Sequence, residues 1–268
     1  MTENLRIQFV YPDYQLSEEV LQAIDSIDHA DIRHNGDADV IVCNGVQELQ
    51  KLPNTTAAVV LRTPVYEILN NYLEIAKAAI RCTHLSIVIT DIEDMTEETQ
   101  SQYKAWLKSL AKNIKSLYAE GKSPQINLLT DRIQLDSMNN CNAGWESITL
   151  APNGKFYICP AFYYENEAND VGDLKNGIEI PNAQLYRLDH APICRKCDAF
   201  QCRRCVWLNK KTTLEVNTPS REQCVAAHLE RNASQELLRA IRELGEFAPG
   251  KDIPSIDYID PFEKILEK

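Results

Sequence analysis

Apolar residues recur along the first 135 positions in two alternating patterns. β-Branched, apolar runs at Leu5–Tyr11, Ala38–Cys43, Thr56–Val65, Leu85–Ile92 and Ile126–Ile133 predict short buried strands. Between them, residues 17–27, 66–80 and 96–119 carry apolar side chains at helical spacing. Residues 46–52 add a shorter helical stretch. Asp94 and Glu97 are spaced as an N-cap and its N3 acid, and Gly121 suits a C-terminal stop. The order β-α-β-α-β-α-β-α-β predicts an α/β fold. Its sheet would be an open parallel one or a partial, degenerate (β/α) barrel. From residue 136 the period shortens. Ser147–Leu150 and Lys155–Ile158 flank Pro152-Asn153-Gly154 and predict a β-hairpin. Residues 232–245 predict one more amphipathic helix, capped by Asn232 or Ser234, ahead of a proline-containing, loosely attached tail. The expected division is 1–135, 136–226 and 227–268.

Composition sharpens this picture at one point. The 268 residues carry a net charge of −11, with 44% hydrophobic and 25% charged residues, as in an ordinary globular protein. An acidic chain has no surplus cations to neutralise phosphates, so no nucleic-acid partner is expected. No apolar run is long enough to span a bilayer, so no membrane partner is expected. Met1-Thr2-Glu3-Asn4 does not read as a signal peptide, and the expected location is the cytoplasm. Disulfides are rare there, so nine cysteines need another explanation. Cys43 and Cys82 stand alone near strand segments and read as core residues. The other seven fall between positions 141 and 224.

Their spacing is C-x17-C, then C-x2-C-x4-C-x2-C, then x18-C. Thiolates two residues apart face one centre from a tight turn, and soft sulfur ligands suit zinc or iron–sulfur clusters. A two-knuckle zinc ribbon places about 15–20 residues between its pairs; here Asp198–Gln201 alone intervene. Cys197-x4-Cys202-x2-Cys205 matches a plant-type iron–sulfur spacing. Arg195, Lys196, Arg203 and Arg204 flank the run, either offsetting thiolate charge or as solvated surface. Phe162-Tyr163-Tyr164 follow the second cysteine, as core or as the wall of a groove. No Ser/His/Asp triad, P-loop or dinucleotide fingerprint is present.

The region 136–226 resembles the SPASM domain of radical S-adenosylmethionine (SAM) peptide-modifying enzymes. The resemblance rests on Cys141-x12-Gly154-x4-Cys159, the compact Cys194, Cys197, Cys202, Cys205 run with two one-residue shortenings, and a final Cys224. Val171-Gly172-Asp173-Leu174 is similar to that family's turn between the halves. The resemblance implies two [4Fe–4S] clusters. Cys141, Cys159 and Cys205 would hold the first, and Cys194, Cys197, Cys202 and Cys224 the second. The contiguous plant-type spacing groups Cys205 differently and stays open. Seven ligands leave one of eight positions unfilled, and His190 lies four residues before Cys194.

The C-x3-C-x2-C triplet that holds the SAM-cleaving cluster in that family is missing. The resemblance therefore implies no SAM site and no SAM cleavage by this chain alone. It points to an iron–sulfur accessory protein in ribosomal peptide maturation. Such a protein would partner a radical SAM enzyme, for electron transfer or for positioning a precursor peptide. It is similar to the maturase-like partners encoded beside such enzymes, those for peptides with Cys-x-x-x repeats among them. Two other readings are a stand-alone metalloenzyme with an open iron site acting on a thiol or peptide, and a structural zinc-binding interaction module.

Overall fold

A computed structural model describes residues 5–10, 32–33, 38–255 and 260, with isolated positions at 18, 22 and 26. In chain order the strands are β1 (Arg6–Phe9), β2 (Ile32–Arg33), β3 (Val40–Asn44), β4 (Ala58–Thr63), β5 (His84–Ile89), β6 (Ser147–Leu150), β7 (Phe156–Tyr157), β8 (Gly172–Asp173) and β9 (Gly177–Ile178). The helices are α1 (Val46–Lys51), α2 (Val65–Asn70), α3 (Tyr72–Ala78), α4 (Glu97–Ala119), α5 (Asp131–Gln134), α6 (Pro160–Glu165), α7 (Val206–Thr213) and α8 (Arg221–Arg242). The predicted helix over 17–27 lies outside the described residues. Contacts divide the chain into two compact units that interleave in sequence. One takes in Met1–His29, Asn139–Cys197 and Arg203–Ser220. The other takes in Ala30–Met138, Asp198–Cys202 and Arg221–Lys268.

The second unit carries the βα alternation. Its sheet runs β2-β3-β4-β5, every pairing parallel, with Val40 opposite Ala58 and Ala58 opposite His84. The predicted α/β class and parallel sheet are present, and among the described residues the sheet is open and closes no barrel. Leu49, Val59, Leu61, Ile68, Ile75 and Leu85 are fully buried where α1, α2 and α3 meet the sheet.

Three local expectations are corrected by side-chain hydrogen bonds. Ile126–Ile133 makes a single bridge, Ile126 to Leu85, and then turns. The side chain of Asn127 completes the edge instead: its Nδ2 donates to Ile87 O, and its Oδ1 accepts from Ile87 N, both at 2.9 Å. Thr130 Oγ1 accepts from Ile126 N at 2.8 Å and starts α5. The helix expected over 66–80 breaks at Asn71, whose amide takes the carbonyl of Glu67 at 2.9 Å. α4 is capped by Thr96, whose Oγ1 accepts from Thr99 N, rather than by Asp94, which ends a 3-10 turn.

α8 begins eleven residues before the expected start at 232, and both expected caps lie inside it. Polar residues fill much of its inward face: Gln223, His228, Glu230, Arg231, Ser234 and Gln235 are buried beside Leu229, Leu237, Leu238 and Ile241. The described part of the tail, through 255 and at 260, is attached, not loose. Ile253 is buried, Gln235 Nε2 donates to its carbonyl at 2.5 Å, and Arg221 pairs with the buried Asp260.

The most isolated polar group in this core is Glu230. Tyr103 OH donates to its Oε1 at 2.8 Å and Gln201 Nε2 to its Oε2 at 3.3 Å. Burial pushes its carboxyl up to about 7, against opposition from those two donors. Because the folded pKa is raised, the protonated form favours folding. Its stabilisation is complete below the ordinary carboxyl range and is lost as pH rises through about 7. Glu230→Gln keeps an acceptor for Tyr103 and cannot ionise. Urea unfolding at pH 5 and pH 8 is expected to show a wild-type loss on the order of 3 kcal/mol that the variant lacks. Equal slopes in both proteins would refute it.

The first unit is built on a mixed sheet ordered β1-β6-β7. β1 runs parallel to β6, with Ile7 opposite Ile148, and β6–β7 is the expected hairpin around Pro152-Asn153-Gly154. β1 is not the buried strand its apolar run predicts: all four residues are exposed. Ala143, Ala151, Tyr157, Ile158, Phe162 and Val206 form the core. Val171-Gly172-Asp173-Leu174 carries β8 and leads into the turn to β9. There Gly172 is indispensable, because a Cβ would stand 2.0 Å from Gly177 O. Among the described residues no helix of either unit is long and apolar enough to cross a membrane.

Candidate metal centre

Cys159 and Cys205 occupy equivalent local positions, each the N-cap of a helix: α6 behind Cys159, opened by Pro160, and α7 behind Cys205. Leu208 N donates to Cys205 Sγ at 3.4 Å. The N–H groups of Ala161 and Phe162 favour the Cys159 anion in the same sense, although none completes a cap hydrogen bond. Helix N-termini favour negative charge through these oriented N–H groups. Cys141 lies before the turn into β6, and its carbonyl accepts from Ser147 Oγ at 2.9 Å. It is the exposed member of the nine cysteines.

The fold brings these three thiols together across 63 intervening residues of sequence. Burial pushes Cys159 up to about 12, and the neighbouring sulfurs of Cys205 and Cys141 push the same way. Cys205 is raised by burial and by Cys141, against the N–H groups of Leu208 and Trp207 and the guanidinium of Arg204. Among the described residues no three His, Cys, Asp or Glu side chains stand close enough to hold a single ion. The influence of Cys205 and Cys141 on Cys159, and of Cys141 on Cys205, nevertheless makes the three sulfurs neighbours. Soft sulfur donors of this kind hold zinc or an iron–sulfur cluster, and helix N-termini lie behind two of them.

The remaining four ligands are divided. Cys194 and Cys197 belong to the first unit, Cys202 and Cys224 to the second. Cys197 N donates to Cys194 O at 3.1 Å, closing the turn that makes the pair neighbours. Burial pushes Cys194 up to about 11, with Arg204 opposing and Cys197 reinforcing. Cys224 sits in the first turn of α8. Cys202 ends a segment fixed to that helix from the adjacent residue, Gln201 Nε2 donating to Ala227 O at 2.7 Å. His190 is exposed, its Nδ1 3.2 Å from Asp189 Oδ1. Cys43 is buried in the core and raised by burial, and Cys82 is half-buried and raised to about 11 by the same cause. Both match the core reading.

Sequence reasoning missed the side chains that hold the three thiols in place. Of the four flanking cations, Arg195, Lys196 and Arg203 are exposed, and Arg204 is 2% exposed. Tyr186, from a stretch without periodic signal, packs on Gly144 three residues after Cys141. Gly144 has φ +80°, and a Cβ there would stand 2.7 Å from the Tyr186 ring and 3.2 Å from Ile158, the neighbour of Cys159. Gly144→Ala is therefore expected to lower stability by about 2–3 kcal/mol through overpacking and backbone strain. Thermal melting measures it, and an unchanged melting temperature would contradict this packing. Phe162 is core, Tyr163 meets the Tyr157 ring edge-on, and Tyr164 is exposed.

Beside Cys141 a cleft of about 760 Å³ is lined by Asn142, Trp145, Arg187, Asp189, Arg195 and Lys196 among others. Arg187 lies 4.6 Å over the Trp145 ring and grips Asp189 through two nitrogens.

These features define a mixed α/β chain with a cysteine-bearing unit in which three thiols converge beside a buried guanidinium. No protein-family model matches the chain, and no curated protein matches it significantly.

Proposed function

We propose that the chain is an iron–sulfur accessory protein in which Cys141, Cys159 and Cys205 hold a [4Fe–4S] cluster. The observation that carries this reading is the convergence of three thiols far apart in sequence, two of them at helix N-termini. A bound cluster supplies reversible one-electron chemistry. The chain's part is to present thiolates, shield them, and orient N–H dipoles toward sulfur. Burial leaves the Cys159 and Cys205 thiols protonated at neutral pH. Metal coordination deprotonates such thiols outright.

The wider role follows from the sequence. The SPASM-like spacing without the C-x3-C-x2-C triplet supports a partner of a radical SAM enzyme in peptide maturation, passing electrons or positioning a precursor peptide. For Cys194, Cys197, Cys202 and Cys224 the reading rests on sequence spacing alone. The remnant-barrel reading of the βα unit likewise rests on its order of elements.

The test is anaerobic purification with metal analysis and visible spectroscopy, followed by pull-down with a radical SAM protein encoded nearby. Iron with sulfide and a band near ~400 nm that bleaches on reduction support the cluster. A colourless, zinc-loaded chain refutes it. Absence of binding, together with no effect on peptide modification, refutes the partnership.

A further inference from the structure

Two other segments of the first unit meet at the side chain of Arg204. Arg204 is 2% exposed, and its guanidinium donates to Tyr186 O at 2.9 Å, Leu185 O at 3.4 Å and Val216 O at 3.5 Å. Val216 O also accepts from Asn209 Nδ2 of α7 at 3.0 Å, so the same carbonyl ties Arg204 to the helix that Cys205 caps. Tyr186, held by its carbonyl, lays its ring against Gly144 and lies beside Cys159. Arg204 thus touches the Cys205 segment by covalent adjacency, and reaches the Cys141 and Cys159 segments through Tyr186.

We propose that the fixed charge of Arg204, held in the interior by these carbonyls, favours the electron-rich, reduced state of a centre on Cys141, Cys159 and Cys205. The proposal rests on the reading of Cys141, Cys159 and Cys205 as a cluster site. Two physical points carry it. First, a guanidinium stays charged at every relevant pH, so the interior of this unit holds a permanent cation. A buried cation is tolerated where anionic charge lies close, and thiolate-ligated iron is anionic. Second, the effect is specific to this position. Arg195, Lys196 and Arg203 face solvent, where water and salt screen them. Arg204 acts from the interior, next in sequence to Cys205 and fixed by three carbonyls. Reduction adds one electron, here supplied by dithionite, and no protein bond forms or breaks.

Two variants separate charge from hydrogen bonding. Arg204→Gln keeps an amide donor for the Tyr186 carbonyl and removes the charge; Arg204→Lys keeps the charge and loses the fork. Wild type and both variants are reconstituted anaerobically with iron and sulfide, and the reduced-to-oxidised ratio is read at a fixed solution potential. The expected result is a ratio about tenfold lower in R204Q, equivalent to about 59 mV for one electron. R204K is expected to stay within about twofold of wild type. An R204Q ratio equal to wild type, or an R204K ratio shifted as far as R204Q, overturns the inference while leaving the cluster reading intact. If R204Q does not fold, R204K decides alone: a near-wild-type ratio supports the inference and a tenfold shift overturns it. A wild-type chain that takes up no iron overturns the cluster reading and this inference with it.

Discussion

Replacing Cys159 or Cys205 by alanine is expected to halve the iron bound per chain, from about eight to about four if two clusters are present. Absorbance near ~400 nm should fall in proportion. Replacing Cys43 or Cys82 is expected to leave both unchanged. The contrast follows from the surroundings of each sulfur. Cys159 and Cys205 are helix N-caps whose sulfurs face backbone N–H groups and each other. Cys43 and Cys82 lie among aliphatic side chains, and burial alone dominates their raised pKa. Alanine at an N-cap costs roughly 1 kcal/mol of helix stability. The variants should therefore still fold, and iron loss can be read apart from unfolding by comparing far-UV circular dichroism. Full iron retention in both variants would show that this group holds no metal.

The parts of this molecule legible in the sequence were those written in local patterns. Alternating βα segments gave the parallel sheet, and Pro152-Asn153-Gly154 gave the β6–β7 hairpin of the other sheet. Cysteine spacing set seven of the nine cysteines apart from Cys43 and Cys82, while the grouping of Cys141, Cys159 and Cys205 came only from the resemblance. What stayed hidden was long-range or buried polar structure. Nothing local distinguishes Arg204 from Arg203, yet one is interior and the other exposed. Tyr186 carries no periodic signal, because its partners, Gly144 and the Arg204 guanidinium, lie far along the chain. α8 was shortened in the sequence reading because its inward face is polar. Hydrophobic periodicity cannot register a core built from Gln223, His228, Glu230 and Arg231. Asn127 misled in the opposite direction: an apolar run reads as a strand, while one amide side chain supplies the pairing.

Asp198→Ala is expected to be the most destabilising single change outside the cysteines, at about 3 kcal/mol. Asp198 is the first residue of the four that separate Cys197 from Cys202. Its carboxylate accepts from Arg231 Nη2 at 2.6 Å and Nε at 3.1 Å, and from Arg132 Nη2 at 3.4 Å. Arg231 is fully buried; Arg132 is nearly so, its guanidinium 4.4 Å over the Phe200 ring. Removing the carboxylate leaves two interior cations facing each other's field, and breaking a buried pair costs about 3–5 kcal/mol. The lower end applies because Asp198 keeps 30% side-chain exposure. Burial pushes its carboxyl up, but Arg231 and Arg132 more than reverse this, and the net shift is downward. A depressed folded pKa stabilises above the unfolded value of 3.8 and is lost as pH falls through the folded one. The gap between wild type and Asp198→Ala in urea unfolding should therefore be full at pH 7 and shrink below pH ~3.8. Combining Asp198→Ala with Arg231→Met removes the stranded cation together with its partner. The double variant should consequently be more stable than the sum of the single losses, because the penalty belongs to the unpaired charge rather than to the lost contact. Strict additivity, or a gap independent of pH, would show that the segment carrying Cys202 is held by packing of Ala199 and Gln201 instead.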